Sequence, residues 1–178
     1  VTSARTGRGV DELGRALIRV AGSTPEDESA DVAHLPVDRV FTVHGTGTVV
    51  TGTLRSGTLR VGQRVAILPD GPEARIRGLQ VHGRDVDEAG AGRRTAVALA
   101  GTDVERATID RGHVLVDDPR WPATSMLTVR LRLIPESRWI VEHNQRVRAH
   151  LGTAEVMARC VLLDGERLDP GEEGWVQL

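Results

Sequence analysis

Apolar and polar positions change their period once along this chain. Val10, Leu13, Leu17 and Val20 recur at spacings of three, four and three, which puts them on one face of a helix. Asp11 and Glu12 fall in its first turn, where carboxylates meet the positive end of the helix dipole. From residue 34 onward the period is two. Val40, Thr42, Thr48, Val49, Val50, Thr51 and Thr53 supply branched side chains that suit a pleated surface. His44-Gly45-Thr46-Gly47 reads as a hairpin turn between two such runs, with glycine free to take positive φ. Ser56-Gly57 and Val61-Gly62 mark further reversals, and a strand at Arg64–Leu68 precedes a turn at residues 69–72 and another strand. The polar stretch 87–94 reads as a tight connection before a strand at 95–99, and residues 106–118 close the unit. Short strands punctuated by glycine predict a small β-barrel.

A second strand-rich unit follows. Val129, Leu131 and Leu133 alternate with Arg130 and Arg132, and Val147, Ala149 and Leu151 alternate with Arg146, Arg148 and His150. Both runs predict antiparallel strands with one face buried. Residues 156–163 and 174–178 read as further strands, and the last is still strand-patterned where it stops, so this barrel is expected to be C-terminally truncated. The expected organisation is residues 1–24 with the helix, an acidic, polar linker at 25–33, a first barrel over 34–119 and a second over 120–178. The fold class is therefore mainly β: two consecutive antiparallel β-barrels behind a short N-terminal helix.

Composition narrows the chemistry. Hydrophobic residues make up 39% of 178, enough for real cores, yet Phe41 and three tryptophans are the only aromatic residues, so the cores must be built from Val, Leu, Ile and Ala. A formal net charge of −2 argues against a generally basic coat, so any RNA binding has to be local. All basic side chains other than histidine are Arg, and there is no Lys. Cys160, flanked by apolar residues, reads as a buried thiol, and a single Cys excludes an intrachain disulfide or a Cys-based metal cluster. No signal peptide, transmembrane run or lipidation motif stands out, and the expected location is cytoplasmic. Gly45, Gly47 and Gly52 do not form a dinucleotide fingerprint, because more strand follows where a helix N-terminus would have to hold the anion. His34, His44, His82, His113, His143 and His150 are scattered without metal-ligand spacing, and no G-x-S-x-G elbow occurs. Neither a metal site nor a catalytic site is expected within this chain.

The run DRVFTVHGTGTVVTGTL followed by SGTLRVGQ closely resembles the second domain of translational GTPases of the elongation factor Tu group. The Asp38-Arg39 pair makes it most similar to the bacterial selenocysteine-specific elongation factors. Ile109-Asp110-Arg111-Gly112 before Val114-Leu115 resembles the closing turn and strand of the family barrel, and Ser3-Ala4-Arg5 resembles the last nucleotide motif of a GTPase domain, whose backbone contacts the guanine base. The resemblance implies that the helix is left over from that domain. It also implies partners: selenocysteyl-tRNA, the ribosome, a preceding G domain and a C-terminal mRNA-binding domain. GTP and Mg²⁺ belong to the parent protein; this chain has no G-x-x-x-x-G-K-[ST], and no D-x-x-G or N-K-x-D stands ahead of Ser3, so no cofactor or GTPase activity of its own is expected.

By match of motif, the family's aminoacyl pocket falls at Asp38 and Arg39 and at Arg94. Selenols are more acidic than thiols, whose reference pKa is about 8.5, so a selenocysteyl group is largely anionic at neutral pH. Guanidinium groups suit that anion because they stay charged and present several donors, and Asp38 is expected to orient Arg39. A neutral seryl group would leave the cations uncompensated. Gln80, Val81, His82 and Arg84 match the loop that holds the tRNA 3′ end, or are ordinary turn residues. Arg130, Arg132, Arg146, Arg148 and His150 match the region near the tRNA T stem, or are the wet face of a sheet. Two other readings stand beside this one: the barrels of a general elongation factor or initiation-factor γ subunit, which share the GTGTVVTG hairpin, and a barrel-pair interaction module that binds no RNA.

Overall fold

A computed structural model describes residues 1–23, 32–101, 104, 108–118 and 120–178; most of the expected linker lies outside the described residues. The chain opens with a compact loop and helix α1 (Val10–Ser23). The first strand-rich unit contains β1 (His34–Val43), β2 (Gly47–Thr53), β3 (Thr58–Arg60), β4 (Arg64–Leu68), β5 (Glu73–Val81), β6 (Arg84–Val86), β7 (Glu88–Gly90), β8 (Arg94–Ala100) and β9 (Val114–Val116). The second contains β10 (Thr128–Arg132), β11 (Val141–Glu142), β12 (Gln145–Leu151), β13 (Ala154–Leu162), β14 (Arg167–Leu168) and β15 (Glu173–Gln177).

In the first unit the order β4-β9-β1-β2-β8-β5 returns on itself through the β4–β5 pairing, and β6 extends β5. Closure removes the free edges that an open sheet would leave. The interior is aliphatic: Leu35, Val50, Leu54, Leu59, Ile67, Ile76, Val97 and Leu115 are buried, whereas Phe41 lies outside and 44% exposed. Stretch 87–94 departs from expectation, because β7 pairs with β3 and inserts Ala89 fully into the core. Its neighbours Glu88 and Gly90 hid that alternation in the sequence. Ala33, at the expected end of the linker, is already core, and its amide donates to Asp117 Oδ1 at 2.8 Å.

The second unit is mainly β as expected but does not close. Strands β10-β15-β13-β12 form one sheet, β11-β14 form a separate ribbon, and among the described residues β10 and β12 are the sheet's edges. Cys160, Leu162, Leu168 and Val176 make its small core. Helix α1 shows the predicted stripe, yet Val10, Leu13, Leu17 and Val20 are all exposed. No described helix is long and apolar enough to cross a membrane.

Gly52 lies opposite Val37 at the register shift between β1 and β2. A Cβ there would stand 2.2 Å from the Pro36 carbonyl oxygen and 2.6 Å from Leu35 Cδ2, and backbone cannot yield as a side-chain tip does. Gly52→Ala should therefore destabilise the protein by roughly 2–3 kcal/mol or more, read as a lower urea midpoint. By contrast, Gly90→Ala, with nothing within 4 Å of its added Cβ, should leave that midpoint nearly unchanged.

Candidate functional site

Two register irregularities shape one outer face of the barrel. Between β1 and β2 the pairing passes from Val37↔Gly52 to Arg39↔Thr51, so Asp38 is an extra residue and Asp38 and Arg39 together oppose Thr51. Between β5 and β8 it passes from Ile76↔Leu99 to Gly78↔Ala98, so Arg77 is the extra residue there. An inserted residue bends its strand and re-aims side chains, and here each irregularity turns an Asp-Arg or Arg-Gly pair toward the same face.

Asp38 is the polar hub. Its Oδ1 accepts a 2.7 Å bond from Thr51 Oγ1 and a 3.1 Å bond from Arg94 Nη2, while Arg94 Nη1 donates to Oδ2. This fork fixes Arg94 at the start of β8. The expected Asp38–Arg39 bond is absent: the inserted residue aims the carboxylate across β2 toward β8. Arg39 is exposed and has no hydrogen bond or ion pair among the described residues. Partial burial pushes the Asp38 carboxyl up, but hydrogen bonds from Arg94 and Thr51 and the charges of Arg94 and Arg39 outweigh it, holding the group below its ordinary range. The same hydrogen bond and carboxylate charge raise Arg94.

Beside this hub runs a groove of about 370 Å³. Gly78, Ala96 and Ala98 give it a floor of small residues, and Phe41, Val49, Arg77, Gln80 and Asp85 stand around it. Gln80 Nε2 donates to Asp85 Oδ1 at 2.9 Å, and Arg77 Nη1 reaches the Thr46 carbonyl at 3.4 Å across the hairpin turn. Ala96 is the ladder partner of Thr51, so groove and hub are adjacent.

The other expected site residues divide. Gln80 lines the groove. Val81 is 5% exposed and belongs to the core, so its side chain is withdrawn from any ligand. His82, at φ 51, and Gly83 turn the chain into β6, which starts at the exposed Arg84. Ser3 folds its own loop, donating from its amide to Arg8 O and accepting from Thr6 N, with Ala4 exposed beside it. Alone this loop does not fit GTP, since no phosphate-binding loop accompanies it. On the second sheet Arg130 pairs with Glu173, and Arg148 and His150 both face Glu155, at 3.1 and 3.9 Å. Arg132 and Arg146 have no partner among the described residues. Phe41, Val49, Arg77, Ala96 and Ala98 were not singled out by sequence. The alternation of Ala96 and Ala98 with Val97 and Leu99, and the break in period at Gly78, were the available signals.

Because the folded-state pKa of Asp38 is depressed, its contribution to stability is present above the unfolded carboxylate pKa of about 3.9 and is lost as pH falls through the lower folded value. Asp38→Asn should lower the thermal midpoint at neutral pH. Its acid-side decline below about pH 4 should be shallower than that of the unaltered protein, as a melting series over pH will measure.

Residues 47–116 match the family model of elongation factor Tu domain 2. The selenocysteine-specific elongation factor of Desulfomicrobium baculatum is 40% identical over 99% of this chain, which spans 27% of that protein. Elongation factor Tu 2 of Streptomyces avermitilis is 44% identical over 46% of this chain and 20% of its own length. Among solved structures, a bacterial selenocysteine-specific elongation factor superposes with a TM-score of 0.74 at 26% identity, over 99% of this chain and 28% of that one. The chain is a segment of selenocysteine-specific elongation factor type, and its first barrel belongs to the elongation factor Tu domain 2 family.

Proposed function

We propose that this chain holds the aminoacylated end of a tRNA, with the hub selecting a selenocysteyl group and the groove taking the terminal nucleoside. The observation that carries the reading is the guanidinium of Arg39, without a hydrogen bond or ion pair among the described residues, beside an Arg94 already balanced by Asp38 and two ladder pairs, through Thr51, from a small-floored groove. Two cations and one carboxylate leave one net positive charge, which matches one selenolate. A seryl hydroxyl brings no charge to that site and leaves Arg39 uncompensated. A site built for one charged partner rejects an uncharged analogue more strongly than an apolar pocket can. A pocket accepting many amino acids has no use for a fixed positive charge, which disfavours a general elongation factor. The groove has the size of a small-ligand site, and Gln80 and Asp85 offer hydrogen bonds to a base.

In this reading α1 and the Ser3-Ala4 loop end a preceding GTP-binding domain, and the exposed apolar stripe of α1 packs there. Arg132 and Arg146, without a partner among the described residues, would position tRNA phosphates. GTP hydrolysis, ribosome delivery and mRNA reading belong to the longer protein.

Competition between selenocysteyl- and seryl-tRNA for the longer, GTP-loaded protein tests the proposal. Arg39→Ala should weaken the selenocysteyl form selectively by about ten- to a hundredfold, the weight of a hydrogen bond to a charged partner. Arg94→Ala should cost at least as much, because it also strips Asp38 of its counter-charge, and the double variant should lose less than the sum. Ala96→Leu, which fills the groove floor, should weaken both tRNAs alike. Equal losses of the two tRNAs in the Arg variants would mean that these residues hold the tRNA end rather than the selenium.

A further inference from the structure

The hub depends on a piece of backbone that the second unit grips. Val37 is the last paired residue of β1 before the inserted Asp38. Its amide donates to His113 O at 2.8 Å, and its carbonyl accepts from Gly112 N at 3.1 Å. The same carbonyl accepts a second bond, 2.6 Å long, from Thr153 Oγ1 at the tip of the β12–β13 hairpin. Arg111 Nε in turn donates to the Thr153 carbonyl at 3.1 Å, so the hairpin tip is held from both sides. The seat is close-fitting: a Cβ on Gly152 would lie 3.3 Å from Pro36 Cβ, and one on Gly112 would lie 3.3 Å from Ala154 Cα.

Two neutral donors on one carbonyl leave little freedom for the peptide plane between Val37 and Asp38, since that oxygen has only two lone pairs. That plane sets where the Asp38 side chain starts. Displacing it would lengthen the Asp38–Arg94 fork, which spans from β1 across β2 to β8 and has no slack on the Thr51 side. A groove-filling or surface contact elsewhere in the interface would not have this leverage.

From this geometry we infer that Thr153 is a positioning residue for the anion site: the second unit's hairpin locks the entry to the Asp38 insertion and so sets the aim of Asp38, Arg94 and Arg39. This deepens the selenocysteyl reading above and rests on it. The simple alternative is that Thr153 only fastens the two units together.

The two are separated by Thr153→Val, which keeps shape and removes the hydroxyl, with Thr153→Ser as the rescue. In the 178-residue chain, the Asp38 carboxyl is titrated by NMR in the presence of its facing charges, Arg94 and Arg39. Thr153→Val should move that titration up toward the ordinary carboxylate range, and Thr153→Ser should restore it. In the longer GTP-loaded protein, the preference for selenocysteyl- over seryl-tRNA should fall about three- to tenfold in Thr153→Val, the weight of one net hydrogen bond, and return in Thr153→Ser. An unmoved Asp38 titration in a folded Thr153→Val protein overturns the inference and leaves Thr153 as a fastening alone. A moved titration with unchanged tRNA preference upholds the positioning of Asp38 and overturns the selenocysteyl reading instead. Should Thr153→Val fail to fold, Arg111→Ala, which releases the hairpin tip from its other side, carries the same two measurements.

Discussion

Strand β1 has one residue more than its partner can match, and the candidate site exists because of it. A regular strand would send Asp38 and Arg39 to opposite faces, one of them into an aliphatic interior that has no partner for a charge. Inserting Asp38 keeps Leu35, Val37 and Val50 inside while Asp38 and Arg39 both reach the outer face. The rest follows from where the carboxylate then points. It crosses β2, takes the Thr51 hydroxyl on the way and meets Arg94 on β8. The insertion at Arg77 repeats the device on β5 and supplies the far wall of the groove.

Much of this was legible in the sequence wherever the cause is local. The hairpin at residues 44–47 and the reversals at Gly57 and Gly62 appear as read, with positive φ at Gly45, Gly57 and Gly62. Helix α1 and the alternating arginine strands follow their periods, except that Leu151, expected on the buried face, is 50% exposed. What the sequence hid were events decided between strands. Arg39 is adjacent to Asp38 along the chain, yet the carboxylate's partner lies 56 residues away, because the inserted residue aims the carboxylate across β2 toward β8. Ala89 looked like part of a polar connection, since a single small apolar residue between Glu88 and Gly90 carries almost no periodic signal. Val81 sits in a motif that suggested ligand contact, but strand phase after Gly78 turns it inward.

Charge is distributed with the same selectivity. The exposed pairs Arg60–Glu88, Arg130–Glu173 and Arg148–Glu155 contribute little to stability in water; their effect is to neutralise arginines that would otherwise repel. Arg146 stands directly opposite Arg159 in the β12–β13 ladder, an arrangement that costs rather than stabilises. On a chain that is net acidic, arginines left without a carboxylate mark the places where an anion outside the chain would be welcome.

The aliphatic interior has an optical consequence. Among the described residues the first barrel buries no aromatic ring, and the chain has no tyrosine. Trp139 and Trp175 lie exposed on the second unit, while Trp121 stacks on His34, their ring centroids 5.1 Å apart, at the seam where β1 begins. Tryptophan emission would therefore be blind to the interior of the barrel that carries the site. It would report instead on the second unit and, through Trp121, on the parting of the seam.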